Sequence, residues 1–195
     1  MSSLSFSPRK YLEQILTTRG LTSADGRVLY QYQLSVGEFK EIENILKKRF
    51  PFQNINSIGD EWARLFTLYA AEWSRREYTA KWTWDPILTA LNIVNLPVNT
   101  RNEVVIKVLR FWKRPIIKYS KANNCLGSIF KEGGFPARLL KEDGNRYVSS
   151  FQKVTSLYLN NKYDIDELRA EIQQELKTLP QAFEHDETLS LVSHS

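Results

Sequence analysis

At 195 residues, 42% of them hydrophobic and 25% charged, the chain has the length and make-up of one globular domain, and eight glycines and seven prolines are too few for a sandwich or barrel of many tight turns. A single cysteine, Cys125, excludes an internal disulfide and fits a reducing, cytosolic compartment, while the start MSSLSFSPRK lacks a signal peptide's apolar stretch and no apolar run nears the ~18 residues of a membrane span. Residues 161–195 hold three of the 27 basic residues and eight of the 22 acidic ones, which leaves residues 1–160 with 24 against 14, a net of +10 suited to an anionic partner.

Ser7-Pro8 opens the first helix, serine as cap and proline at the first position. Tyr11, Leu12, Ile15 and Leu16 form its apolar stripe, and Gly20 stops it. Residues 24–34 (ADGRVLYQYQL) carry an Asp25-Gly26 turn and one short alternating stretch, too little for a sheet, and read as an irregular arm. Ser35 and Glu38 have capping-box spacing, and Phe39, Ile42, Ile45 and Leu46 continue a helix that Pro51 ends. Trp62, Leu65, Phe66, Tyr69, Ala70 and Trp73 step by three and one, the face of a core helix. On that helix Asp60/Arg64 and Glu72/Arg76 have the spacing of helical ion pairs.

Asp85-Pro86 predicts a short helix capped by the aspartate. Thr100 and Glu103 predict a second capping box ahead of Val104, Val105, Val108, Leu109 and Trp112, and Pro115 must kink or end that helix. Leu126, Ile129 and Phe130 predict another helix, stopped by Gly133-Gly134, with Pro136 restarting the chain toward Leu139 and Leu140. Residues 148–159 and 164–179 carry further helical patterns. The fold expected is all-α, an irregular orthogonal bundle of about eight to ten helices over residues 1–180. Residues 181–195 form a disordered acidic tail or linker.

The only histidines, His185 and His194, lie in that tail, so the body lacks a soft metal site and a histidine-paired nucleophile. No metal, cofactor or self-sufficient enzyme is expected. Ser128 and Lys131 have the S-x-x-K spacing of serine enzymes that interact with penicillin, but the supporting motifs are absent. Glu72 and Glu77 are the sharper catalytic reading, a carboxylate pair, against the plainer one of an ion network with Arg75 and Arg76. Gly133-Gly134 ahead of Pro136 and Arg138 could offer amides to an anion, though a tight helix–helix corner is the favoured reading.

Residues 101–121 set seven basic side chains against Glu103 alone. Lys107, Arg110, Lys113, Arg114 and Lys118 are the candidate nucleic-acid contacts, made mostly at phosphates, with Phe111, Trp112 and Tyr119 able to stack on bases where exposed. The alternative is a cation-coated surface over an aromatic core. Trp82 and Trp84 read either as plugs over the bundle end or as an exposed protein-docking patch.

LYAAEWSRREY (68–78) with KWTWDPIL (81–88), and LGSIFKEGGFPARLL (126–140), together resemble the N-terminal region of the large H component of Druantia type III anti-phage defence systems. The likeness covers roughly residues 35–140. It implies a bacterial antiviral setting beside a helicase-like partner and carries over no catalytic residue. The combined expectation is a non-catalytic helical module of a defence protein that binds nucleic acid. The alternative is a docking or oligomerisation scaffold for the helicase-like partner.

Overall fold

The computed structural model describes residues 6–49, 59–78, 83–94, 96–116, 124–134 and 136–137, with isolated positions between 148 and 174. The described elements are all helical: α1 (Pro8–Thr17), a 3-10 turn (Leu29–Tyr32), α2 (Val36–Arg49), α3 (Asp60–Glu77), α4 (Asp85–Ala90), α5 (Val98–Phe111) and α6 (Asn124–Gly133). The expected tail, and the core positions Leu139 and Leu140, lie outside the described residues.

α1 starts as its sequence dictates. Ser7 Oγ accepts from the amide of Lys10 at 3.4 Å, and Tyr11, Leu12, Ile15 and Leu16 are buried. It ends in a Schellman closure: Leu21 N–H donates to Leu16 O, and Gly20 takes φ +69°, where a Cβ is penalised. The capping box at the head of α2 is reciprocal. Ser35 N–H donates to Glu38 Oε2 at 2.8 Å, and Glu38 N–H donates to Ser35 Oγ at 3.1 Å.

α3 is the axis of the fold. It touches all five other α-helices and the 3-10 turn, and every residue from Leu65 to Ser74 is buried. A helix covered on all sides needs apolar or small residues all round, and this one carries Ala63, Ala70, Ala71 and Ser74 between its aromatics. The aromatics pair outward. Tyr69 stacks on Phe39 at 5.1 Å, and Phe66 stacks on Trp84 at 6.1 Å. α6 runs closest, because Gly133 has no side chain: a Cβ there would stand 2.4 Å from Ala71 O and 2.1 Å from Ser74 Oγ. Gly134 at φ +70° then turns the chain under Tyr30, and its N–H bonds Lys131 O. The glycine pair is therefore a corner, as favoured.

Three local expectations are corrected. Asp85 is the first residue of α4 and makes no side-chain cap. α5 begins at Val98, after Pro97, so Thr100 lies inside its first turn and caps nothing. Asp60 reaches across to Lys107 on α5 and not along its own helix to Arg64, whose guanidinium lies over the Phe111 ring at 3.7 Å.

The arm between α1 and α2 has little regular structure, so its backbone polar groups need other partners. Charged side chains supply them. Arg19 donates to the carbonyls of Tyr32 and Gln33 and forms a bidentate pair with Glu38. Arg76 on α3 donates to Leu34 O at 2.6 Å. Arg114 donates to Gly26 O at 2.7 Å, while Glu132 on α6 accepts from Leu29 N–H at 3.0 Å. Four charged groups from four places in the chain, Arg19, Arg76, Arg114 and Glu132, thus hold one irregular segment against the helices.

Candidate nucleic-acid interface

α5 presents its cations because its other face is committed. Val104, Val105, Val108 and Leu109 are buried, and Trp112 is fully buried against Tyr32 at 4.9 Å. The residues left outside include Glu103, Lys107 and Arg110, all exposed. Lys107 and Arg110 are one helical turn apart. Lys113 follows just past the helix end and is exposed as well.

The helix does not continue to Arg114. α5 stops at Phe111, Lys113 adopts φ +56°, and Arg114 N–H donates back to Leu109 O at 2.8 Å. This closure is the one glycine usually makes, with lysine in its place. It leaves Pro115 outside the helix, where its missing N–H costs nothing. It also turns Arg114 inward, to Glu132 at 2.9 and 3.0 Å. Arg114 is therefore corrected from the phosphate-contact set: its guanidinium is used up by a buried carboxylate and by Gly26 O. Burial pushes the Glu132 carboxyl above the usual range, and Arg114 opposes that shift.

Lys107 is paired with Asp60 at 2.5 Å, with both side chains about half exposed or more. An exposed pair is worth only ~0.2–1 kcal/mol, so a phosphate can replace the aspartate at small cost. Two of the three aromatics expected to stack on bases are turned inward. Trp112 is in the core, and Phe111 is half-buried beneath Arg64. Arg64 is the member of this face that sequence spacing missed. Spacing pairs it with Asp60 within its own helix, and no local pattern says that α3 and α5 pack side by side. Lys118 and Tyr119 lie outside the described residues.

The docking patch is corrected in part. Trp84 is 4% exposed, with its ring on Phe66, so it closes the core and offers no surface. Trp82 lies outside the described residues. The carboxylate pair is corrected too. Glu72 is 2% exposed and held by Arg75 and Arg76, an anion already neutralised within its own helix, whereas Glu77 is exposed and opens on a separate cavity. Ser128 is buried on α6. Among the described residues no group of three or more His, Cys, Asp or Glu is placed to hold a metal, and no helix is long and apolar enough to cross a membrane.

A family model described as the YjiT N-terminal domain matches residues 2–135. Protein YjiT of Escherichia coli (strain K12) is 33% identical over 192 residues, covering 94% of this chain and 36% of that protein. The chain thus spans little more than a third of that relative's length. No solved structure matches.

Proposed function

The chain belongs to the YjiT N-terminal domain family, and from that premise we propose that it is a non-catalytic helical module that contacts nucleic-acid phosphates through Lys107, Arg110 and Lys113. The observation that carries this reading is the outward row of cations at the C-terminal end of α5, with the helix's apolar side locked in the core. With Phe111 and Trp112 turned inward, the face suits backbone contact with little sequence preference. The setting in bacterial antiviral defence rests on the resemblance of residues 68–78, 81–88 and 126–140, and is part of the proposal. A role in docking a helicase-like partner rests on Trp82 alone, since Trp84 is internal.

The test is fluorescence anisotropy with labelled single- and double-stranded DNA over a salt series. Three phosphate contacts predict a log–log salt slope of about −2.7 on duplex DNA, roughly a 40-fold loss between 50 and 200 mM salt. The triple variant Lys107→Glu, Arg110→Glu, Lys113→Glu should abolish binding while leaving the fold intact, because Arg114 is untouched. Absence of binding by the folded wild type at low salt refutes the nucleic-acid reading.

A further inference from the structure

A second feature lies on another face of α3. A cavity of about 290 Å³ is lined by Phe39, Lys40 and Glu43 of α2 and by Tyr69, Trp73 and Glu77 of α3. That is close to the lower end of small-ligand sites, ~300 Å³. Its wall is aromatic, with Phe39 lying nearly parallel on Tyr69. The Phe39 ring already draws two of the protein's own cations, Arg76 at 5.3 Å and Lys40 at 5.6 Å.

Two groups there lack what a cation would supply. Glu77 is exposed and has no ion-pair partner among the described residues. It is also the last residue of α3, at the negative end of the helix dipole, where an anion is disfavoured and a cation is welcome. Tyr69 is fully buried, and its hydroxyl has no hydrogen-bond partner among the described residues. Burial first, then the charges of Glu43 and Glu77, push that phenol above its ordinary range, so its oxygen lies within the field of both carboxylates. Glu43 differs in being satisfied, by Lys47 at 2.5 Å and Lys40 at 3.1 Å.

The geometry points to a binding site for an alkylammonium group in this cavity, its charge at Glu77, in the field that also acts on the buried Tyr69 oxygen, and its alkyl chain along the edge of Trp73. Aromatic faces beside carboxylates select cations over neutral or anionic ligands of the same shape. Lys40, 60% exposed at its side chain, stands at the rim as the resident competitor. The same chemistry is carried by a free diamine and by a lysine side chain of a partner protein.

The experiment follows the indole N–H resonance of Trp73, assigned with Trp73→Phe, in the whole chain titrated with cadaverine, with an acetyl-Gly-Lys-Gly-amide peptide, and with n-pentanol as the neutral control. A saturable shift with an ammonium probe, absent with pentanol, is expected. Cadaverine binding in preference to the peptide identifies a free amine, and the reverse identifies a lysine side chain. Glu77→Gln should weaken binding about threefold to tenfold, the range of a partly exposed ion pair. Tyr69→Phe removes a hydroxyl without a partner, so folding is spared while binding weakens. Lys40→Gln should tighten binding. No saturable shift with either cation, an equal response to pentanol, or indifference to Glu77→Gln overturns the assignment.

Discussion

Replacing Arg114 by alanine tests whether this arginine is a structural clamp or a surface cation. The carboxylate it serves is 2% exposed at its side chain, while Arg114 itself is 15% exposed. Removing the cation strands a buried anion, a change that costs about 3–5 kcal/mol in comparable pairs. The partial exposure of the arginine places the expected loss near the lower figure, about 3 kcal/mol. Among the described residues Glu132 then keeps the Leu29 N–H as its hydrogen-bond donor, and Gly26 O loses the Arg114 guanidinium. The double variant Arg114→Ala, Glu132→Gln should be more stable than Arg114→Ala alone, because glutamine carries no charge to desolvate.

The pH dependence has a definite sign. Glu132 already sits above its unfolded value of 4.5, so the folded state binds its proton more tightly. Its contribution is complete below that unfolded value and is lost as pH rises through the folded one. Without Arg114 the folded value climbs further, so the variant should regain stability on going from about pH 7 to about pH 5, more steeply than wild type. Urea unfolding followed by tryptophan fluorescence at the two pH values measures both effects. A loss under about 1 kcal/mol, with the same pH slope as wild type, would refute the buried-clamp account and return Arg114 to the surface.

Gly133→Ala should destabilise by about 1–3 kcal/mol despite alanine's better helix propensity, because its Cβ would meet the α3 backbone at Ala71 O; a lowered urea midpoint checks this. Lys113→Gly should raise stability by up to about 1 kcal/mol by relieving the left-handed lysine, and should lower the DNA salt slope by about 1 in the same protein. Glu38 is held at about 2, first by its hydrogen bond to Arg19, so its contribution is present above 4.5 and lost as pH falls toward 2. Glu38→Gln should therefore flatten the acid side of the stability profile, measured by circular dichroism over an acid titration.

Patterns confined to one turn or one helix face were readable from residues alone. The Ser7 cap, the Ser35–Glu38 box, the buried stripe of α1 and the corner at Gly133-Gly134 each depend on neighbours within a few positions. The Thr100–Glu103 box failed although its spacing is correct, because α5 had already begun after Pro97. Spacing names a possible cap, but the start of a helix depends on what the preceding residues pack against.

The candidate site was legible to the extent that it is helical. Lys107 and Arg110 lie one turn apart on α5, and the burial of Val105 and Leu109 leaves them outside. Arg114 faces inward, against its helical spacing, because one left-handed residue, Lys113, turns the chain there, and lysine does not announce that conformation as glycine would. Trp84 was ambiguous for a related reason: a tryptophan suits a core as well as an interface, and only its stacking on Phe66 decides which it serves.

Sequence by itself determined the helical class, the main periodic faces and where cations concentrate, since these follow from local backbone preference and the 3.6-residue repeat. Tertiary structure alone decided which charges face inward. Arg19, Arg76 and Arg114 bind carbonyls of the irregular arm far from them along the chain, Arg64 covers Phe111, and Tyr69 opens on the cavity between α2 and α3. A long charged side chain can reach either solvent or a buried partner, and the choice depends on which backbone groups the packed helices leave without hydrogen bonds.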